Sequence, residues 1–244
     1  MTLPLTNTKD AGLHHFKGIC YGPPGTGKTT LARTMLPLGK TLIISGESGL
    51  APLAGYDIDV FEVKTYQQLG QVLQALVSGQ VPHDCIYVDS LTEVSKIIES
   101  VVFARFAVDD GTGNLAIPKN KNFDYYGTLA REQEQFVRIV RDLKKHVFFS
   151  ALPKHWKNDQ TGEEGYRPLY GSASLGEVLP GLFDFVFAYR PIVNPETGEI
   201  TRALFTQPYE GWTAKARQRV DKPVLPPVIQ NPDLSVIVKS VLGG

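Results

Sequence analysis

The segment Gly22 to Thr29, GPPGTGKT, constrains this chain more than any other part of it. It satisfies G-x-x-x-x-G-K-[ST], follows an apolar run (Phe16 to Tyr21) and precedes a helical pattern. A loop of this kind between strand and helix curls its N–H groups inward, where they cradle phosphate oxygens. Gly22, Pro23, Pro24, Gly25, Thr26 and Gly27 supply the cradle, and Lys28 is expected to reach the β- and γ-phosphates. The Thr29 hydroxyl is expected to hold Mg²⁺, and Thr30 to add a contact to the α-phosphate. These residues define a nucleotide site and leave the base open.

Around that loop, short apolar runs alternate with helical patterns, the rhythm of a mostly parallel sheet flanked by helices. Strands are expected at Thr41 to Ser45, Asp57 to Val63, Cys85 to Asp89, His146 to Leu152 and Phe183 to Tyr189. Helices are expected at Thr65 to Val77 (a Thr65–Gln68 capping box), from Ser90 with Glu93 in the same relation, and at Tyr125 to Lys145. PIVNPETGEITRALFTQ reads as a hairpin turning at Asn194 to Gly198. Asn231 is expected to cap a last helix, with Pro232 at its first position. The length of 244 residues suits one α/β domain spanning 1–244, with an N-terminal arm at 1–15 and a hairpin and tail at 190–244.

Composition narrows the function classes. The 25 basic and 25 acidic side chains cancel, so a polyanion would have to be held by a local patch or loop rather than a global field. No run approaches the roughly 18–20 apolar residues of a membrane span, and the N-terminus does not read as a signal peptide. Cys20 and Cys85 stand far apart in apolar runs without ligand spacing, as buried free thiols of a reducing compartment do. The expected location is the cytoplasm, with no membrane partner.

Two further acids complete a hydrolytic site. The run CIYVDS delivers Asp89 to the carboxyl edge of the sheet, where it can hold magnesium. To orient or deprotonate water, Glu47 in the turn Ser45-Gly46-Glu47-Ser48-Gly49 competes with Glu93. The capping position explains Glu93 without catalysis, so Glu47 is the expected base.

Taken together, GPPGTGKT, ISGESGL and IYVDS resemble the ATPase core of RecA/RadA-type recombinases. With VDSLTEV, FFSALPK and WTAKARQR, nearly the whole chain is similar to small phage-encoded RecA-like ATPases grouped with single-strand annealing and recombination proteins. The resemblance implies a RecA-like P-loop fold with a C-terminal β-hairpin extension, ATP and Mg²⁺ as cofactors, and catalytic Glu47 and Lys28. It makes Ser150 the candidate sensor of the γ-phosphate, where recombinases usually carry a longer amide. Lys215 and Arg217 match a Lys-x-Arg element that reaches a neighbouring subunit's nucleotide, which implies self-association into a ring or filament. A solvated basic turn would account for the same two residues.

The family's two DNA-contacting loops map onto 108–122, with Lys119 and Lys121, and 153–174, with Lys154, His155, Trp156, Lys157, Tyr166, Arg167 and Tyr170. Cations among aromatics suit single-stranded DNA, although Asp159, Glu163 and Glu164 dilute the charge. A DNA-stimulated ATPase of recombination, annealing or replication, possessing a single-strand-binding protein as a further partner, is the leading expectation. An AAA+ remodeller or helicase loader, an ATP-dependent switch without useful turnover and a small-molecule kinase are the alternatives. The wording GPPGTGKT suits the AAA+ reading; against it stand Ser90 after Asp89, where such motors usually carry Glu, and the strand-and-hairpin pattern of 183–222 in place of a helical lid.

Overall fold

The computed structural model describes residues 13–47, 49–194, 196–219 and 221–243, so most of the expected N-terminal arm and Ser48 of the ISGESGL turn lie outside the described residues. The chain runs β1 (Lys17–Tyr21), α1 (Lys28–Leu31), a 3₁₀ segment (Ala32–Leu38), β2 (Thr41–Ser45), β3 (Asp59–Glu62), α2 (Tyr66–Val77), β4 (Cys85–Asp89) and α3 (Leu91–Phe106). A two-residue pair, β5 (Val108–Asp109) and β6 (Leu115–Ala116), leads to α4 (Asn122–Arg141), β7 (His146–Ala151), β8 (Pro153–Lys157) and β9 (Glu164–Pro168). Then come α5 (Ala173–Val178), β10 (Phe185–Val193), β11 (Ile200–Phe205), β12 (Lys215–Ala216), β13 (Val228–Gln230) and α6 (Leu234–Leu242).

The main sheet has the order β13-β11-β10-β1-β7-β4-β2-β3, with β12 also paired to β10. From β10 to β3 every pairing is parallel, whereas β11, β12 and β13 are antiparallel. This is the α/β architecture expected, with the hairpin extension at one edge. Alternate residues of the central strands enter two separate cores. Ile19, Tyr21, Ile86, Val88, Val147 and Phe149 face α2, α3 and α4, and the opposite face packs on the segment after the phosphate loop and on α6. There Phe16 stacks on Phe185 at 4.5 Å, and Phe148 and Phe187 close the layer. Burying each such ring contributes on the order of 1.5–3 kcal/mol, which holds β1 rigid beneath the loop it carries. Cys20 and Cys85 are buried free thiols, and burial pushes both up to about 12.

Several boundaries differ from the sequence reading. The capping box of α2 is present in full, but at α3 only the Ser90 half forms, because the Glu93 carboxylate turns to Lys96 at 2.6 Å. Helix α4 begins at Asn122 rather than Tyr125, and ends at Arg141. Asp233, not Asn231, caps α6: its carboxylate accepts from Ser235 and Val236, while Asn231 sits at φ 45°. The expected loop at 153–174 is instead a β-hairpin followed by the start of α5, its turn closed by the Asn158 side chain on the N–H groups of Gln160 and Thr161. The expected loop at 108–122 contains the β5–β6 pair and a 3₁₀ turn at Lys119–Lys121.

Candidate nucleotide and catalytic site

Strand β1 ends at Tyr21, and the chain then turns through a loop in which Gly25 (φ 78°) and Gly27 (φ 92°) both adopt left-handed backbone. L side chains rarely tolerate that region. Gly22 is constrained differently, since a Cβ there would collide with the Tyr189 carbonyl oxygen of β10. Thr26 is buried and donates to the Pro23 carbonyl at 3.0 Å, bracing the loop from within. The Lys28 ammonium folds back on the same loop, donating to the carbonyls of Gly22 (2.7 Å) and Pro23 (2.8 Å). Burial lowers the Lys28 pKa, and Asp89 and Glu47 pull it the other way. From below, the Tyr87 hydroxyl donates to the Lys28 carbonyl at 2.6 Å and ties the start of α1 to β4.

Asp89 ends β4 with only 3 % of its surface exposed. Its carboxylate accepts from the Thr29 hydroxyl at 2.6 Å and from the Ser150 hydroxyl. The two residues expected to hold magnesium are therefore in direct contact across the sheet edge. One hydroxyl and one carboxylate are hard oxygen donors, and Mg²⁺ is commonly held by so few protein ligands because it keeps waters and substrate phosphates for the rest. The donor set fits the ion. Glu47 lies past β2, its carboxylate accepting from the Ser90 hydroxyl at 2.6 Å, next in sequence to Asp89. Lys28, Thr29, Thr30, Glu47, Asp89 and Arg202 all line one cleft of about 790 Å³.

The structure revises the role expected of Ser150. Its side chain is fully buried and donates to Asp89, which suits it to positioning that carboxylate. Lys215 and Arg217 lie at the other end of the sheet. Lys215 is opposite Val186 and Ala216 opposite Phe185, level with the start of β1, and Arg217 is bound to Asp184 at 2.7 Å. Both residues lie away from their own chain's phosphate loop, which follows the other end of β1.

Of the six residues expected at DNA, Lys154, Trp156 and Arg167 share one face of the β8–β9 hairpin, Lys154 being opposite Arg167, and Lys157 points to the other face. Arg167 and His155 lie 3.4 Å from Glu177 and Glu164 respectively. Lys119 and Lys121 stand apart, on the turn before α4, where α3 and α4 pack as an antiparallel pair with Phe103 and Phe106 against Tyr125. The hairpin begins one residue beyond Leu152, itself part of the cleft wall, and Tyr166 stacks on Trp212 at 4.5 Å. The Tyr21 hydroxyl shares its one proton between the carbonyls of Tyr166 (2.9 Å) and Thr213 (2.8 Å), fastening the hairpin to the strand that carries the phosphate loop.

Arg202 was not among the sequence-derived candidates. It is one cation of a hairpin, without a motif of its own, and only the pairing of β10 with β1 carries it to the phosphate loop. A Cβ on Gly27 would lie 3.0 Å from the Arg202 guanidinium.

Among solved structures, a KaiC-like protein from the hyperthermophilic archaeon Pyrococcus horikoshii OT3 is similar to the chain at a TM-score of 0.44 and 10 % identity, over 92 % of this chain and 93 % of that one. No curated protein matches the sequence. A family model described as an AAA domain (AAA_24) matches residues 14–218. That span runs from just before β1 to just past β12 and includes the phosphate loop, Glu47, Asp89 and the Lys-x-Arg element. Strand β4 nevertheless ends at Asp89 with Ser90 next, and residues 185–216 hold three strands. Sequence match and site geometry agree on the essential point: the chain belongs to the AAA domain family, and its site is that of a P-loop ATPase.

Proposed function

We propose that this chain is a Mg²⁺-dependent ATPase that works on single-stranded DNA in phage-type recombination, annealing or replication, as a ring or filament of one-domain subunits in the host cytoplasm. The observation that carries the hydrolytic part is the convergence of Lys28, Thr29, Asp89 and Glu47 on one cleft. Glu47 would orient or deprotonate water for in-line attack, and the hydrogen bond from Ser90, which holds its carboxylate next to Asp89, supports that role. Lys28 would exchange the carbonyls of Gly22 and Pro23 for phosphate oxygens. Thr29 and Asp89 would hold magnesium, which when bound would supply positive charge against that developing on the phosphate.

The DNA part rests on the resemblance to recombination ATPases and on the composition of the β8–β9 hairpin. Trp156 shares its face of the hairpin with Lys154, an aromatic plane for a base beside a cation for a phosphate. That hairpin leaves the sheet directly after the cleft, so ligands at the two places would share one strand. Lys215 and Arg217, remote from their own chain's cleft, fit a role in the neighbouring subunit.

Steady-state ATP hydrolysis, measured with and without single-stranded DNA at several protein concentrations and low salt, tests the proposal. Stimulation by DNA that steepens with concentration is expected. Hydrolysis indifferent to DNA would overturn the DNA assignment. Mixing Lys28→Ala with Arg217→Ala subunits is expected to restore part of the activity, and a dead mixture would refute action in trans.

A further inference from the structure

Beside the cleft lies a second, smaller cavity of about 170 Å³, walled by Gly27, Thr30, Thr34, Tyr189, Arg202 and Asn231 among others. Gly27, Thr30 and Arg202 line both spaces, which makes them adjoining parts of one site. A nucleotide whose phosphates sit near Lys28 and Thr29 would have room to extend past Thr30 into the smaller cavity. Arg202 stands at the junction.

Its position is fixed by backbone on both sides. Arg202 is opposite Pro191 in the β10–β11 ladder, and its carbonyl accepts from the Asn231 N–H at 2.8 Å. The guanidinium itself has no hydrogen bond or ion pair with any described residue, whereas Arg190 is tied to Glu210 and Arg217 to Asp184. It rests over Gly27, where the absence of a Cβ gives it room, and the Tyr189 hydroxyl approaches the same point at 3.6 Å. A free fork of N–H donors held over the phosphate loop matches a phosphate oxygen in geometry and charge.

We propose that Arg202 is a nucleotide-binding residue acting in cis, gripping the phosphate nearest the nucleoside, and that the smaller cavity receives the nucleoside. This rests on the reading of the phosphate loop as a nucleotide site and adds to it a C-terminal hairpin that closes on the chain's own ligand. The ligand class is a nucleoside di- or triphosphate.

Calorimetric titration of the full chain with Mg-ADP and with Mg-ATP tests it, using the unsubstituted protein, Arg202→Ala and Arg202→Lys. A charge-assisted contact predicts that Arg202→Ala weakens both nucleotides about tenfold or more, with Arg202→Lys in between. The melting temperature without nucleotide is expected to stay unchanged, since the side chain is exposed and makes no bond in the fold. Equal binding by Arg202→Ala and the unsubstituted chain would overturn the proposal and leave the phosphate loop standing. Weakening confined to ATP would also overturn it, by moving the guanidinium to the γ-phosphate. Failure of the unsubstituted chain to bind either nucleotide would overturn both readings together.

Discussion

Ser150→Ala separates two roles that a hydroxyl on β7 can have. Ser150 is completely buried and donates to Asp89, whose carboxylate is itself almost wholly buried and has one other hydroxyl partner, Thr29. A hydrogen bond to a charged group contributes about 1.5–3 kcal/mol, and the lower end applies where a second donor remains. Losing about 1.5 kcal/mol of orientation at Asp89 should raise the magnesium concentration for half-maximal hydrolysis roughly tenfold. The turnover number at saturating magnesium should change little, because Ser150 does not line the cleft. The assay is a magnesium titration of ATP hydrolysis at fixed, saturating nucleotide, for both proteins. A fall in turnover that no magnesium concentration repairs would refute the reasoning and return Ser150 to the role of a γ-phosphate sensor.

Glu47→Gln is expected to lower hydrolysis by about 10²–10⁴-fold while nucleotide binding persists, as comparing turnover with calorimetric affinity would show. Thr65→Ala removes an N-cap acceptor 3.2 Å from the Gln68 N–H and should cost about 1 kcal/mol, seen as a melting temperature roughly 2–4 °C lower. Burial lowers the Lys17 pKa to about 8 from its ordinary 10.5. Between those values the unfolded chain holds a proton that the folded chain has released, so this group makes stability rise with pH across the window. Urea unfolding at pH 8 and pH 10 should therefore give a less positive pH slope for Lys17→Met than for the unsubstituted chain.

The parts of the site that sequence reveals are those encoded locally. GPPGTGKT carries its own backbone requirements, and Asp89 follows from counting along an apolar strand to its end. Glu47 was legible as an acid in a turn after β2, but its hydrogen bond from Ser90 depends on β2 lying beside β4, a non-local fact. The hairpin at 153–168 was hidden because its residues alternate without an apolar face: His155 and Lys157 are exposed, and Gly165 interrupts the partner strand. The cap of α6 was misplaced by two residues because Asn231-Pro232 and Asp233 both carry capping chemistry, and tertiary pairing takes Asn231 for the strand side through its N–H to Arg202. Ser150 illustrates the same limit at the level of a single hydroxyl. Its place at the end of a buried strand was readable, and the direction in which it points was decided by the neighbouring β4.

The Lys28 ammonium, held by two carbonyls of its own loop, changes what ligand entry consists of. An ammonium in open solvent would surrender a hydration shell to an incoming phosphate, whereas this one exchanges one set of oxygens for another. The loop thus acts as an internal competitor for its own ligand: its two carbonyls take two of the three ammonium donors and hold the cation in register, which sets a threshold against weak anions. Inorganic phosphate and sulfate, which offer few contacts beyond that single exchange, should be poor rivals of a nucleotide here, and discrimination between them begins before any base is read.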